Sequence, residues 1–532
     1  MIETSIGARR ESSAGASLAR SSLARSSLAR SSRARRLFGG WSANLVALLL
    51  GISQQVLLVP VFLHFWTSDT LAAWLAVYAA GNLMVVADAG LHIRALNRFL
   101  AFKANVDCDG RTARFYDAML WIYLALVALL GCVLLIGPHI LSPASILGFQ
   151  ATAHFDAAFV VMTLGMLLVL PANLPSALYR ARGDYGRVVW LQSGAMLVAQ
   201  LAQLLAIAAD GGLVAVAIAF VSMQVIATVY IVAVDAPRLY PFLRSGRYGR
   251  PSWRWSLNQF RSGFAFAVAG AAEIALVNAP VLLVSALVPG RIAVAQWGLT
   301  RVIVGLVRTL CMQATMPLAA ELGHDHAVGD TARLRDLYAR GSVLVTVVAS
   351  VVVSGLLPFW PDFFALWTHG SVPYDPWLAI TLLLGATAVA PSILALGFAN
   401  YSNRGDLLVR TKGLQLVVFL VLSLVLIPLM GPLGAALAIV GSDLVQFGLL
   451  TLGILGSTLR HPLRHIGLLG AISTVVVVSG WGLGVAIRWL VPGSGALHFL
   501  VECALWSIVA GLAASPLAIR RFREALIAAI PR

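Results

Sequence analysis

The chain has 532 residues, of which 59% are hydrophobic and only 11% are charged. A water-soluble domain is about half apolar and about a quarter charged. No soluble fold of this size could bury so much apolar surface, so we expect most of the chain to lie in a bilayer. The formal net charge is +16, which by itself is compatible with nucleic-acid binding, with adhesion to anionic lipid or with membrane topology.

The first 40 residues are rich in Ser, Ala and Arg. The segment Ser-Leu-Ala-Arg-Ser occurs three times from Ser17 with a period of five residues. Such a composition cannot bury enough apolar surface to fold, so residues 1–40 are predicted to be a disordered basic tail. A solvated tail and one that adheres to anionic lipid are both compatible with it.

Fourteen stretches are apolar over about 20 residues, the length that a membrane-spanning helix needs. They are 41–66, 71–93, 118–137, 156–178, 188–209, 212–234, 263–288, 294–316, 341–360, 377–399, 411–430, 433–456, 466–487 and 497–518. The sequence therefore predicts an all-α integral membrane protein with about fourteen transmembrane helices.

The basic residues alternate between the predicted loops. With the amino terminus on the cytoplasmic side, 34 of the 38 Lys and Arg residues fall in the tails and inner loops. Of the remaining four, only Arg291 and Arg488 fall in outer loops. Positive loops face the cytoplasm. The pattern therefore predicts a multi-pass membrane protein with both termini in the cytoplasm. Topology explains the net charge, so nucleic-acid binding is not expected.

The second half of the chain echoes the first at offsets of 219 to 222 residues. Residues 112–117, 171, 179–184 and 211–215 match residues 331–336, 391, 401–406 and 431–435. Six spans separate the copies, so both have the same orientation, and we expect two parallel six-helix lobes around a central cleft plus two extra carboxy-terminal helices. The predicted units are the tail 1–40, an N-lobe 41–236, a linker 237–262, a C-lobe 263–458, an added pair of spans 459–520 and a tail 521–532.

Lobes of this kind can rock and expose a cleft to each side of the membrane in turn. Pro60, Pro171, Pro280 and Pro391 lie inside spans, where each removes a helix hydrogen bond and permits a kink. They are candidate hinges, although static kinks would explain them equally well.

Ionisable residues inside a membrane are costly, by roughly 2.5–3.5 kcal/mol each, and are therefore candidates for function. Arg301 and Arg308 lie seven residues apart in the eighth span, on one helix face and about 10 Å from each other. Two guanidinium groups so placed suit a diphosphate, because Arg binds phosphate oxygens in bidentate fashion. Pairing with carboxylates such as Glu273 is the alternative.

Three further residues are candidates for binding in the cleft. Glu273 could bind a coupling ion, but pairing with an Arg is favoured, and Asn278 follows it in the same span. Asp88 closes the second span near His92, where a structural network at the membrane edge is favoured. Asp443 and Glu502 are expected to be structural. The four Cys residues show no metal-binding spacing, and no catalytic motif occurs, so neither an enzyme active site nor a metal or cofactor is expected.

Several short elements resemble those of bacterial polysaccharide flippases in the multidrug/oligosaccharidyl-lipid/polysaccharide exporter superfamily. They are Asp88-Ala89-Gly90-Leu91, Leu366-Trp367-Thr368, Gly431-Pro432-Leu433-Gly434-Ala435-Ala436 and the segment 293–317. The resemblance implies O-antigen-type or exopolysaccharide export, in which a polyprenyl-diphosphate-linked oligosaccharide crosses the membrane. It also implies a cleft lined by helices one, two, seven and eight, and glycosyltransferases and a polymerase as possible partners.

Two competing functions remain. A cation-coupled drug exporter of the same fold would have a cleft dominated by acids and aromatic residues rather than arginines. A membrane-bound glycosyltransferase or polymerase would have charged residues in a long outer loop, and residues 138–155, the longest outer loop, contain no Lys, Arg, Asp or Glu. The sequence therefore favours a flippase.

Overall fold

The computed structural model describes residues 42, 45–104, 110–244, 251–402, 404–493 and 495–518. Within these ranges every regular element is helical and no residue lies in a strand. The two predicted tails, 1–40 and 521–532, lie outside the described residues.

Thirteen of the described helices are long and apolar enough to cross a membrane, and a bent pair makes a fourteenth span. We name them TM1 to TM14 in chain order: Leu45–Phe65, Ser68–Asp88, Arg111–Pro138, Phe155–Arg182, Tyr185–Ala208, Leu213–Leu239, Ala267–Leu287, Arg291–Val328, Thr331–Trp367, Pro376–Val389 with Pro391–Tyr401, Gly405–Met430, Pro432–Thr458, Pro462–Leu490 and Ala496–Ala514. Each predicted span coincides with one of these helices, so the predicted fold class is confirmed. The end of the bundle at which TM1 begins is called the tail side below, and the opposite end the far side.

The helices pack in a scheme that repeats. In the first half TM1 contacts TM5, TM2 and TM3 contact TM4, and TM6 contacts TM4 and TM5. In the second half TM7 contacts TM11, TM8 and TM9 contact TM10, and TM12 contacts TM10 and TM11. Each of these contacts of the first half therefore has a counterpart six helices later, as a parallel repeat requires. The halves meet where TM7 and TM8 pack against TM2.

TM2 ends five residues before the predicted limit of its span. Ala89 and Gly90 have φ angles of 48° and 74°, so the chain turns sharply and a separate helix, Leu91–Ala104, begins. Asp88 stabilises this start because its Oδ2 accepts a hydrogen bond of 3.1 Å from the backbone N–H of His92. The turn brings Gly90 close to the helix that contains TM7 and begins before it. A Cβ on Gly90 would lie 2.4 Å from the carbonyl oxygen of Gly263 in that helix.

The four candidate hinge prolines differ in their surroundings. Pro171 lies in a 3-10 turn that interrupts TM4, and its repeat partner Pro391 lies at a 47° bend in TM10. Pro280 lies inside an uninterrupted α-helix, whereas Pro60 is the third residue of the α-helical part of TM1, directly after the π-helical turn Ser53–Leu57. The two breaks therefore occupy corresponding places in the two halves, while motion at any of the four prolines stays a prediction.

The added helix TM13 is held against TM9 by close backbone approach. A Cβ on Gly480 would lie 2.4 Å from Oγ of Ser354, and one on Gly484 would lie 2.3 Å from Cγ of Pro358. At the far side Arg488 forms an ion pair of 2.8 Å with Asp362 of TM9. Glycine is required at these contacts because the two helices leave no room for a side chain.

We expect Gly484→Leu to destabilise the protein by about 1–3 kcal/mol, because an inserted side chain must push TM13 away from TM9. The melting temperature in detergent, followed by size-exclusion chromatography, measures the effect. Gly482→Leu is the matched control, since a Cβ at Gly482 meets nothing within 4 Å. Equal melting temperatures for the two variants would contradict the packing described here.

Candidate functional site

A cavity of about 630 Å³ lies within the second half of the chain, between TM7, TM8, TM10, TM11 and TM12. Its charged and amide side chains are Glu273, Arg308, Asn400, Asp406, Lys412, Gln415, Asp443 and Gln446. Much of the remaining wall is apolar and includes Met312 and Met316 of TM8. A cavity of this size with a few convergent charges is the usual form of a small-ligand site.

The first of two ion pairs in the cavity joins TM7 to TM11. The Nζ of Lys412 lies 2.6 Å from Oε2 of Glu273 and donates a hydrogen bond of 2.7 Å to Oε1 of Gln446. The Lys412 side chain is 5% exposed, whereas the Glu273 side chain is 50% exposed and lines the cavity. The ammonium group is therefore enclosed, and its carboxylate partner is the more accessible member.

The second ion pair joins TM8 to TM12. Nη2 of Arg308 donates to Oδ2 of Asp443, and Oδ1 of the same carboxylate accepts a hydrogen bond of 2.8 Å from Nε2 of Gln415. The two cations and two carboxylates balance one another, which lowers the cost of holding charges inside the membrane. Each cation could instead hold an anionic group of a ligand if its carboxylate moved aside.

The cavity extends toward the tail side of the bundle. Its wall includes Tyr401, at the tail-side end of TM10, and Gly405, at the start of TM11. From Gly405 to Gln415 the wall follows TM11 for ten residues, about 15 Å of helix. Ile93, in the helix after TM2, is the contribution of the first half.

The two halves are joined at their far-side ends. Three contacts connect them: Trp367 Nε1 to the Val56 carbonyl at 2.7 Å, Ser285 Oγ to the Leu147 carbonyl at 2.5 Å, and Arg291 to Asp69 at 3.5 Å. On the tail side Nε of Arg94 donates to Oε1 of Gln259 at 3.3 Å, next to the close approach of Gly90. The seam between the halves is thus bonded at both ends.

Two of the five residues that were predicted to share a cleft lie in the wall of this cavity. Glu273 and Arg308 line the cavity, but Arg301, Asp88 and Asn278 do not. Arg301 lies beside Tyr78 of TM2, and Nδ2 of Asn278 donates to the carbonyl of Ile274 within its own helix.

Asp88 belongs to a network inside the first half. Its Oδ1 accepts hydrogen bonds from the Tyr123 hydroxyl at 2.5 Å and from Nδ2 of Asn173 at 3.1 Å. The network joins TM2 to TM3 and TM4 at the tail side. Its composition favours the structural interpretation of Asp88 over the binding one.

One expectation needs correction. Glu273 was expected to pair with an Arg, but it pairs with Lys412 because TM7 packs against TM11, while Arg308 on TM8 reaches Asp443 on TM12. The cavity described here lies within the second half, and a cleft between the lobes on helices one, two, seven and eight stays a prediction.

Sequence reasoning also missed Lys412. It stands at the second residue of the predicted span 411–430, where a Lys is the ordinary mark of a cytoplasmic helix end. TM11 in fact begins at Gly405, so Lys412 lies two turns inside the helix.

The first half has a smaller cavity of about 210 Å³ between TM4, TM5 and TM6. Its wall contains Gln192 and Gln224 but no charged residue. The small cavity of the first half therefore lacks the ion pairs that line the larger cavity of the second half.

A second difference concerns the repeated Tyr-x-x-Arg-Gly-Asp segment. In the first half the Tyr179 hydroxyl donates to Asp235 at 2.6 Å and Asp184 accepts from the Tyr240 hydroxyl at 2.8 Å. The matching Tyr401 and Asp406 of the second half lie in the cavity wall instead. In the first copy the Tyr and Asp side chains are hydrogen-bonded within their own half, while in the second copy the matching residues line the cavity.

No family model and no curated protein sequence matches this chain. Among solved structures, the lipid II flippase MurJ in an inward closed conformation superposes with a TM-score of 0.68 at 12% identity, over 90% of this chain and 99% of that one. An inward-facing multidrug resistance MATE family transporter of the MOP superfamily superposes with a TM-score of 0.59 at 15% identity, over 81% of this chain and 96% of that one. The chain therefore has the fold that is shared by the MurJ flippase and the MATE transporters of the MOP superfamily.

Proposed function

We propose that the protein is an alternating-access flippase that moves a polyprenyl-diphosphate-linked oligosaccharide, a polysaccharide precursor, across the bacterial inner membrane. The observation that carries the proposal is the pair of cations in the cavity, Arg308 and Lys412, each bonded to a carboxylate that can be displaced. The likeness to a lipid II flippase supports the same class of substrate.

The geometry suits a ligand with two linked anionic groups. Asp443 and Glu273 neutralise the two cations while the cavity is empty. An arriving diphosphate replaces them, with bidentate bonds to the Arg308 guanidinium and a point-charge contact to the Lys412 ammonium. Two half-exposed methionines of TM8, Met312 and Met316, offer an apolar flank to the first isoprenyl units, and the rest of the lipid stays in the bilayer.

The charge distribution supports loading from the cytoplasm. The basic residues of the sequence concentrate on the tail side, which the positive-inside rule predicts to be cytoplasmic. A cavity that extends toward this side would load from the cytoplasmic leaflet, where glycosyltransferases assemble the lipid-linked glycan, and a polymerase would receive the glycan on the far side after translocation. The alternative, a cation-coupled drug exporter, fits less well, because Tyr401 is the only aromatic residue in the wall of this cavity.

Arg308→Gln is the direct test. We expect purified protein in nanodiscs to bind a short-chain polyprenyl diphosphate about 10–100-fold more weakly after this change, because a charge-assisted contact contributes roughly 1.5–3 kcal/mol. Cells that carry the variant should lose surface polysaccharide and accumulate lipid-linked oligosaccharide inside.

The control is Arg340→Gln, which removes a 44% exposed side chain paired with Asp336 outside the cavity. It should bind and transport like the wild type. Unchanged binding by Arg308→Gln, or wild-type protein that binds a lipophilic cation and no lipid diphosphate, would overturn the proposal in favour of drug export.

A further inference from the structure

Arg301 is a cation inside the membrane for which the described residues supply no carboxylate. It takes part in none of the ion pairs found among them, and its Nη1 is buried without a hydrogen-bond acceptor. This differs from Arg308 and Lys412, which both have carboxylate partners. A buried cation without a counter-charge is costly, and such residues in transporters mark ion or substrate pathways.

A second donor near Arg301 also lacks an acceptor. Trp297 lies one helical turn earlier on TM8, is fully buried, and its Nε1 has no hydrogen-bond partner in the described part of the chain. Both residues lie near the contact of TM8 with TM2, where a Cβ on Gly298 would touch Leu75 and where Arg301 lies beside Tyr78. Buried donors are normally satisfied, so two unmet donors one helical turn apart are available to bind an acceptor.

The face of TM8 between the two arginines is open. Arg301, Gly305 and Arg308 are all half-buried and follow one another at spacings of four and three residues, which places them on a single helix face. A Cβ on Gly305 would meet nothing within 4 Å. Arg308 lines the cavity, so a ligand held there lies about 10 Å along this helix face from Arg301.

We propose that Arg301 and the Nε1–H of Trp297 form a second anion site, which receives the diphosphate from Arg308 and Lys412 as the lobes part on the far side. This inference rests on the proposed function. At the first site Asp443 and Glu273 return to their cations and displace the anion. At the second site no carboxylate of the described residues competes with the anion for Arg301. The anion leaves when the far-side seam opens and admits water, because water weakens the attraction between the charges.

The test separates binding from translocation in the full-length protein. For Arg301→Gln in nanodiscs, we expect binding of a short-chain polyprenyl diphosphate within about threefold of wild type, whereas Arg308→Gln loses at least about tenfold. In liposomes, Arg301→Gln should lower the rate at which the same fluorescently labelled lipid crosses the bilayer by at least about tenfold. Its melting temperature should equal or exceed that of the wild type, because the variant removes an uncompensated buried charge.

Gly305→Leu tests the path without altering either arginine. It should bind like the wild type and block translocation, while Gly194→Leu, at an exposed TM5 position where a Cβ also meets nothing within 4 Å, should leave both unchanged. Equal loss of binding in Arg301→Gln and Arg308→Gln would show a single site and overturn the relay. Normal translocation by Arg301→Gln would overturn it as well. If the wild type binds no lipid diphosphate, the proposed function fails first.

Discussion

Glu273→Gln lowers the stability of the protein by about 3 kcal/mol, because it leaves the buried Lys412 ammonium without a carboxylate. Removal of one member of a buried ion pair costs about 3–5 kcal/mol, and the lower end applies because the Glu273 carboxylate faces the cavity. Gln446 still accepts a hydrogen bond from the ammonium, but a neutral amide does not balance its charge. Denaturation of the purified protein in mild detergent measures the change.

A double variant separates stability from transport. Glu273→Gln combined with Lys412→Met removes both charges, so most of the lost stability should return while lipid transport stays absent. Arg340→Gln again serves as the control, since an exposed pair four residues apart on a helix contributes only about 0.3–0.5 kcal/mol. A Glu273→Gln protein as stable as the wild type would show that the pair does not hold TM7 to TM11.

Gly90→Val reduces transport at least about tenfold, because the tail-side seam cannot close around a side chain at this position. The residue has a φ of 74°, which a β-branched side chain adopts with strain. Its Cβ would also lie 2.4 Å from the carbonyl oxygen of Gly263 and 2.8 Å from the backbone nitrogen of Ala267. These are backbone atoms, so the start of TM7 must move as a whole to accommodate the change. Liposome transport and the melting temperature report the effect.

Variants at two other glycines distinguish backbone strain from the steric clash as the cause of the loss. Gly290→Val introduces strain at a φ of 104° without any clash, since a Cβ there meets nothing within 4 Å. Gly194→Val introduces neither backbone strain nor a clash. We expect Gly290→Val to cost about 1–2 kcal/mol of stability with little loss of transport, and Gly194→Val to behave like the wild type. If Gly290→Val abolished transport as Gly90→Val does, backbone strain rather than closure of the seam would be the cause.

The membrane architecture was predictable because each span needs about 20 apolar residues, a strong local signal. The positions at which the helices end were not predictable in the same way. TM8 and TM9 continue for 38 and 37 residues because their helices extend beyond the apolar stretch into polar segments. The parallel repeat could be predicted because several separate segments match at nearly the same offset, and the corresponding packing of the two halves agrees with it.

The charged residues that line the cavity were predictable in part, for a physical reason. Arg308 and Glu273 stand out because each is an ionisable residue within an apolar run. Lys412 does not stand out, since a Lys near a predicted helix end is ordinary. The pairing of TM7 with TM11 and of TM8 with TM12 depends on how the helices pack, and that determines which carboxylate meets which cation.

The unequal cavities of the two halves have an evolutionary consequence. In the first copy Tyr179 and Asp184 are bonded to Asp235 and Tyr240, and the small cavity has no charged residue in its wall. In the second copy the charged residues line the larger cavity. Selection for a new ligand could therefore act on TM11 and TM12 alone and leave the first half unchanged. A chimera assembled from two first halves would insert into a membrane and carry nothing.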